Sequence, residues 1–304
     1  MSIRPNQTNQ VFMSVKQVAS YLQLNEKKIY TLAGDREIPA TKITGKWMFP
    51  RELIDKWILD STHHGLLRDR LMIAGSDDPL LNRIINEFSE SLNSKAVVTY
   101  TTTTTRNGLD LLSANKIDIC CMNWGPDRES GTRHPALLQQ YGASNNWILI
   151  RALRREQGIM LNPSLTAASL ALPALFDTRY RWDVAQEGSG SRRWLMEILS
   201  KHHLNISQLQ QSVTSLSLGE AAAALNLDLC DIAPGTRALA NEFHLRFISL
   251  GWEHLDFAMP RDIWFRHLFQ DLIERLGSER GHSLAQQLGG YDQDLCGELI
   301  WGDD

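Results

Sequence analysis

The sequence lacks the patterns that would place it in several common protein classes. No run of 18 apolar residues occurs among its 304 residues, so no membrane-spanning helix is predicted. It contains no HExxH metalloprotease motif, no GxSxG nucleophile elbow, no phosphate-binding P-loop and no clear Ser–His–acid set. These absences argue against an integral membrane protein and disfavour an enzyme.

Cysteine is scarce and follows no metal-binding or redox spacing. The four cysteines, Cys120, Cys121, Cys230 and Cys296, include no CxxC pair, and we expect buried, reduced thiols. The adjacent histidines His63 and His64 have no acidic or cysteine partners at metal-ligand spacing, which is typical of a polar linker. We therefore predict neither a metal site nor a cofactor.

A secretory signal is also missing, and charge is distributed unevenly along the chain. Residues 1–10 are polar and have no apolar core, which predicts a cytoplasmic location. Residues 1–65 carry nine basic and six acidic side chains, a net charge of +3, and the remainder therefore carries −7 of the overall −4. A mildly basic head on an acidic body fits a head that contacts DNA.

The first 60 residues have the pattern of a small helical module. Ser14 and Gln17 form a capping box before the first apolar-periodic run, Asn25 caps a second, and Gly34 ends it. The predicted elements are helix 15–22, helix 26–33, a hairpin over 38–49 with its tip at 44–46, and helix 50–59. Two helices joined by such a short turn are typical of DNA-binding proteins.

This order resembles the excisionase/MerR type of winged helix-turn-helix. The resemblance rests on SVKQVASYL (14–22), KIY (28–30), IPA (38–40) and GKWMFP (45–50). In that family the second helix enters the major groove and the wing touches the backbone, which implies DNA contacts for Lys16, Asn25, Lys27, Lys28, Tyr30, Lys42 and Lys46. Each lysine taken alone is equally well explained as a solvated charge. One head offers little surface, which favours a homodimer on double-stranded DNA.

From residue 70 the sequence alternates between apolar strands and amphipathic helices. Such repeats imply an open, largely parallel sheet with a ligand site beyond the carboxyl ends of its strands. The predicted strands are 71–74, 96–99, 117–122, 146–153, 156–161, 182–186, 213–215, 229–232, 246–250 and 255–259. The predicted helices are 80–92, 108–114, 165–176, 192–203, 219–225, 262–276 and 283–288.

This body resembles the type II periplasmic-binding-protein (PBP) superfamily. More narrowly, it is similar to the PBP-like domain behind excisionase-type heads in bacterial regulators related to molybdate and tungstate binders. The resemblance rests on IAGSDDPLL (73–81), NGL (107–109), IDI (117–119), QG (157–158), NP (162–163) and GSGSR (188–192). It implies an α/β chain with a winged helix-turn-helix at 1–60, a linker at 61–69 and a two-lobed domain at 70–304. Lobe one would span about 70–148 and 250–304, and lobe two about 149–249.

The resemblance implies a ligand site formed by three helix starts. Its residues would be Ser76, Asp77, Thr104, Thr105, Asn123, Ser189, Gly190, Ser191 and Arg192. Glycine lets the backbone approach a ligand, and free N–H groups at a helix start attract anions. Helix capping explains each hydroxyl equally well on its own, but three such starts converging on one cleft would suit a tetrahedral oxyanion.

Several positions leave the identity of the solute open. Ser191 stands where the family usually has threonine, Thr104 and Thr105 replace Gly-Ser, and Asn123 replaces an expected histidine. Asp77 adds a negative charge near the cleft. An oxyanion such as molybdate or tungstate, a small organic acid and another solute all remain candidates.

Two further groups of residues are candidates for other roles. Three tryptophans either line the cleft or pack the core (Trp124, Trp252, Trp264), and a basic hinge cluster is a candidate interface (Arg151, Arg154, Arg155).

The layout favours a ligand-responsive transcription regulator. In such a protein the sensor closes on its solute and changes the spacing of paired DNA-binding heads. Two alternatives remain: an enzyme built on the same two-lobed fold, and an excisionase-like protein that shapes DNA.

Overall fold

The computed structural model describes residues 12–35, 38–43, 45–62, 70–93, 96–165 and 172–302. The chain divides into two compact units, residues 1–68 and 69–304. Some expectations concern residues outside the described ranges: the N-terminus 1–10, Thr44 at the wing tip, most of the linker with His63 and His64, and the middle of the predicted helix 165–176.

The first unit combines three helices with a three-stranded sheet of order β1-β3-β2. Its elements are β1 (Phe12–Met13), α1 (Val15–Leu22), α2 (Glu26–Gly34), β2 (Thr41–Ile43), β3 (Lys46–Pro50) and α3 (Arg51–Thr62). Val18, Ile29, Phe49 and Ile54 are fully buried where the helices pack on the sheet. The sheet and helix order are those of a helix-turn-helix followed by a hairpin wing.

Local capping explains why the starts of α1 and α2 are predicted well. Ser14 Oγ accepts from the Gln17 amide at 3.4 Å, and Asn25 Oδ1 accepts from the Lys28 amide at 2.7 Å. The predicted third helix needs a correction, because Pro50 is the last residue of β3 and pairs with Phe12. Helix α3 therefore begins one residue later, and it continues to residue 62 rather than 59.

The second unit is built around one twisted sheet with helices on its faces. Its strands are β4 (Arg70–Gly75), β5 (Val97–Thr102), β6 (Ile119–Met122), β7 (Trp147–Leu161), β8 (Arg181–Asp183), β9 (Gln210–Val213), β10 (Ile232–Thr236), β11 (Arg246–Pro260), β12 (Tyr291–Asp292) and β13 (Leu299–Trp301). Its helices are α4 (Pro79–Ser91), α5 (Thr105–Ser113), α6 (Ser130–Leu138), α7 (Gly190–Lys201), α8 (Leu218–Asn226), α9 (Arg237–Glu242), α10 (His267–Leu276) and α11 (Glu279–Leu288).

Two lobes are defined by how the strands pair. In the first lobe β5, β4 and β6 are parallel neighbours, and β6 pairs antiparallel with β11 at residues 256–258. In the second lobe β9, β8 and β10 are parallel, and β10 pairs antiparallel with the end of β7. The expected parallel units are thus present in each lobe, whereas the strands that join them are antiparallel.

Strands β7 and β11 pair with each other along their length and join the lobes. The sequence predicts two strands in each place, but each is a single strand of 15 residues. Arg155 and Glu253 lie between the predicted strands, and they are buried there as an ion pair. Because Ile150 and Leu153 pack in the first-lobe core, we place the crossing near residue 155 rather than at residue 148.

Other differences follow from weak local signals. Helix α6 contains Pro135, and α9 has only six residues, so neither shows a clear helical pattern. Strand β10 begins at Ile232, three residues after the predicted start, because 227–229 form a turn. The described part of the predicted helix 165–176 is a 3-10 turn at Leu172–Phe176. Residues 261–265 likewise form a 3-10 turn ahead of α10.

Candidate functional site

A cavity of about 30 Å³ lies between the two lobes of the second unit. Six of the nine predicted ligand residues line it: Ser76, Asp77, Asn123, Ser189, Gly190 and Ser191. Thr104, Thr105 and Arg192 are not part of the lining. Because both lobes contribute to so small a space, the structure shows the cleft closed.

The first-lobe residues hydrogen bond mainly to each other. Ser76 Oγ donates to Asn123 Oδ1 at 2.6 Å and lies 2.9 Å from Thr105 Oγ1. Asn123 Nδ2 in turn donates to Glu253 Oε2 at 2.8 Å. The Ser76 amide is also engaged, since it donates to the Cys121 carbonyl at 2.8 Å. This group therefore shapes the floor of the cavity and keeps few donors for a ligand.

Asp77 reaches across the cleft to the second lobe. Its Oδ2 accepts from the amide of Gly219, in the first turn of α8, at 3.2 Å. Its Oδ1 accepts from Asn82 Nδ2 at 3.1 Å and from Thr102 Oγ1 at 3.2 Å. Three donors therefore hold the carboxylate in place, and one of them is a first-turn amide of a helix. The side chain thus forms a bridge between the lobes.

Arg155 is a buried cation that the sequence argument did not place in the site. Its side chain is 1% exposed and lines the cavity, with Nη2 2.8 Å from Glu253 Oε1 and Nη1 3.1 Å from Asp78 Oδ2. Nη1 also donates to the Asp77 carbonyl at 2.5 Å. Burial opposes the charge, but Glu253 and Asp78 outweigh it and raise the pKa of Arg155 above its ordinary value.

The other two arginines of the expected hinge cluster also have partners inside the chain. Arg151 Nε lies 3.1 Å from Asp256 Oδ1, and Arg154 Nη2 lies 2.6 Å from Asp127 Oδ2. Asp256 also faces His134, whose Nε2 accepts from the Trp124 amide at 2.9 Å, so His134 Nδ1 donates to Asp256 at 2.7 Å. These contacts stabilise the first lobe and give no support to an interface.

The second-lobe residues lie at the start of α7. Ser189 Oγ caps the helix by accepting from the Arg192 amide at 3.1 Å. The Cα of Gly190 packs so closely on Asn123 that a Cβ there would lie 2.3 Å from Asn123 Nδ2. The Arg192 side chain donates to the Ala185 carbonyl at 2.9 Å, where it supports the loop rather than the cavity.

Two buried polar side chains near the cleft lack partners in the described part of the chain. Ser191 lines the cavity, is 5% exposed, and its hydroxyl makes no hydrogen bond to any described residue. Gln157 is fully buried, and neither its Nε2 nor its Oε1 has a partner there. Gln157 follows Arg155 by two residues on β7, so both side chains point to the same face of the sheet. Of the two, Ser191 lines the cavity and offers a hydrogen-bonding group to a ligand there, whereas Gln157 does not line it.

The loops after β5 and β9 supply lining residues that the sequence argument missed. Thr102, Thr103, Ser215 and Ser217 line the cavity, whereas Thr104 caps α5 by accepting from the Asn107 amide at 3.0 Å. Of the threonine run 101–105, Thr102 and Thr103 line the cavity, whereas the predicted Thr104 and Thr105 do not. Ser215 bonds to Asp183 within the second lobe.

The three noted tryptophans do not line the cavity. Trp124 lies beneath the guanidinium groups of Arg106 and Arg193, at 5.2 and 5.9 Å from its ring centre. Arg154 lies over Trp252 at 4.7 Å, and Trp264 packs against Phe269 at 5.8 Å. These contacts favour the packing alternative over the lining of this cavity.

The first unit presents the residues predicted to meet DNA on its surface. Lys16, Lys27, Lys28, Lys42 and Lys46 are exposed, and Tyr30 is 52% exposed. Lys42 Nζ lies 5.6 Å from the centre of the Trp47 ring, which holds it along the hairpin. Asn25 uses its Oδ1 to cap α2, so this residue has a structural role whether or not it contacts DNA.

The described residues hold no group of three or more His, Cys, Asp or Glu side chains placed to bind a metal ion. Burial raises the pKa of the Cys230 thiol to about 12 and that of Cys296 to about 11, and all four cysteines are free. No described helix is long and apolar enough to cross a membrane.

Comparisons with solved structures agree with the two-lobed architecture. A phosphate-bound protein from Clostridium perfringens, described as an ABC transporter substrate-binding protein, has 10% identity, covers 72% of this chain and 97% of its own, and has a TM-score of 0.55. PhnD1 from Prochlorococcus marinus, in complex with methylphosphonate, has 13% identity, covers 74% and 92%, and has a TM-score of 0.52. The tungstate ABC transporter from Geobacter sulfurreducens has 14% identity, covers 71% and 97%, and has a TM-score of 0.50. At these identities the likeness concerns the fold alone.

Family models match both units of the chain. A model described as the PBP superfamily domain matches residues 86–277, and one described as a helix-turn-helix domain matches residues 12–61. The search among curated proteins found no match. The chain therefore belongs to the PBP superfamily and carries an N-terminal helix-turn-helix domain of the excisionase type.

Proposed function

We propose that this protein is a ligand-responsive bacterial transcription regulator that binds DNA through its first unit and senses a small solute in the cleft of its second. The observation that carries the proposal is the joining of a helix-turn-helix domain to a two-lobed binding domain whose cavity is lined by both lobes. It would act by binding rather than by catalysis, in the cytoplasm, where its DNA is.

Exposed cations support the DNA-binding half of the proposal. Lys27, Lys28 and Tyr30 share the outer surface of α2, and Lys42 and Lys46 lie on the hairpin. Lysines at these two places would reach phosphates on either side of a groove. A single module buries little surface on DNA, so we infer that two copies bind paired half-sites as a homodimer.

The start of α7 supports an oxyanion as one candidate solute. Its first-turn backbone N–H groups and the buried Ser191 hydroxyl are hydrogen-bond donors of the kind that bind anions.

A thermal-unfolding titration tests the sensor half of the proposal, with molybdate, tungstate, sulfate, phosphate, small organic acids and uncharged polyols as probes. A midpoint that rises and saturates with one probe supports a solute sensor. If no probe raises the unfolding midpoint while DNA binding is intact, the remaining alternative is a protein that shapes DNA.

Removing two lysines tests the DNA surface. The double substitution Lys28→Ala and Lys46→Ala is expected to weaken DNA binding and to reduce the slope of log K against log salt by about 2, because each phosphate contact contributes about 1. Fluorescence anisotropy on a labelled duplex across salt concentrations measures both. Lys116→Ala is the control, since Lys116 is an exposed lysine of the second unit. An unchanged slope in the double variant would remove these lysines from the phosphate contacts.

A further inference from the structure

The helix N-terminus that faces the cleft from α8 is already occupied. The amide of Gly219 is one of the first-turn donors that a helix leaves unpaired, and it donates to Asp77 Oδ2 at 3.2 Å. The Asp77 carboxylate therefore stands where a ligand anion would be held. Because the carboxylate comes from the first lobe and α8 from the second, this contact also joins the two lobes.

The charges around the cavity argue against a second anion there. Only two charged side chains line it, Asp77 and Arg155, among the described residues. Arg155 directs its guanidinium to Glu253 and Asp78, so its positive charge is already balanced. A dianion in the cavity would meet the Asp77 carboxylate with no uncompensated cation to offset the repulsion.

The groups that remain free at the cavity carry no net charge: the first-turn N–H groups of α7 only donate, whereas the Ser191 hydroxyl can both donate and accept. Ser191 is 5% exposed, and its hydroxyl makes no hydrogen bond to a described residue. The buried Gln157 amide also lacks a partner there, but Gln157 does not line the cavity. A hydroxyl matches an alcohol or amide group of a ligand, and it carries no charge to balance an anion.

We propose that Asp77 substitutes for a ligand anion at the start of α8, and that the solute sensed in the cleft is therefore a small uncharged molecule with hydroxyl or amide groups. This inference rests on the proposed sensing function of the cleft. Asp77 is then the residue that determines the specificity of the cleft, because its carboxylate fills the anion position and also repels dianions.

Sulfate and phosphate binding to the full-length chain tests this. Equilibrium dialysis with labelled sulfate and labelled phosphate, at matched ionic strength, compares wild type with Asp77→Ala and Asp77→Asn. The alanine variant frees the Gly219 amide, whereas asparagine removes the charge and keeps an acceptor. We expect saturable binding by Asp77→Ala, and by wild type either none or binding at least about ten-fold weaker, because the variant removes a like charge from the cavity. Asp110→Asn is the control, since Asp110 is exposed in the same lobe and lies outside the lining.

Either of two results would overturn the inference. Saturable binding of either anion by wild type, with a dissociation constant close to that of Asp77→Ala, would overturn the inference while supporting a sensor. Failure of a folded Asp77→Ala variant, checked by circular dichroism, to gain binding would also overturn it, because Asp77 would then not be what excludes the anion. The proposed regulatory function is judged separately, by DNA binding and by the titration with uncharged polyols.

Discussion

Replacing Arg155 with methionine is expected to lower the free energy of unfolding of the second unit by about 3–5 kcal/mol. The substitution leaves the carboxylates of Asp78 and Glu253 buried without their cation, and removing one partner of a buried ion pair costs about that much. For a domain of this size the melting midpoint would fall by about 10 °C. Thermal unfolding followed by calorimetry, with urea unfolding for the free energy, measures the loss.

Arg154→Met is the matched control for this substitution. Arg154 is the preceding residue of β7 and also pairs with two carboxylates, Asp127 and Asp292, but its side chain is 35% exposed. Water can solvate these partly exposed carboxylates once the arginine is removed, so a much smaller loss in the free energy of unfolding is expected. Equal losses for the two variants would mean that the Arg155 cluster has no special energetic role. A stable Arg155→Met variant would mean that the cluster makes no net contribution to stability.

Substituting Gly190 with alanine is expected to prevent the closed form of the cleft. The added Cβ would lie 2.3 Å from Nδ2 and 2.5 Å from the backbone oxygen of Asn123, which are far inside normal contact distance. Asn123 is held on its other side by Ser76 and Glu253, so it has little room to move. The lobes must separate instead. Small-angle scattering should show a larger radius of gyration, and stabilisation by any cleft ligand should disappear.

Gly219→Ala provides the comparison at the other helix start that faces the cleft. The nearest atom to a Cβ at this position, apart from its own chain neighbours, is Asp77 Oδ2 at 3.7 Å, an ordinary contact. This variant should therefore scatter like wild type. If Gly190→Ala also keeps the wild-type radius of gyration and ligand response, the close packing of α7 on Asn123 does not control closure.

Elements with local signals were predictable from the sequence. The capping box at Ser14 and the Asn25 cap fix the helix starts of the first unit, and the order of strands and helices gives the fold class. The long crossing strands were not predictable, because their polar centres are stabilised by distant residues: Arg155 meets Asp78 and Glu253 far along the chain. Short-range patterns carry no information about such partners.

Predicted site residues line the cavity where their motif also requires a particular backbone position. They do not line it where the motif indicates only a suitable type of side chain. The Gly-Ser-Gly-Ser run puts Ser189, Gly190 and Ser191 at the cavity because glycine permits close approach there. Arg192 follows the motif, but its side chain turns to the Ala185 carbonyl. Thr104 is a cap, and Thr105 belongs to the network beneath the cavity. The bridging role of Asp77 depends on the closeness of two lobes that sequence spacing does not reveal.

Control of DNA binding by the state of the cleft can be tested by one measurement that needs no knowledge of the solute. Duplexes are enriched from a random pool with full-length wild type, and their dissociation constants are then measured for wild type and for Gly190→Ala. We expect wild type to enrich a defined sequence and the two constants to differ by about ten-fold, within the range of allosteric coupling. Equal constants, or no enrichment at all, would contradict it.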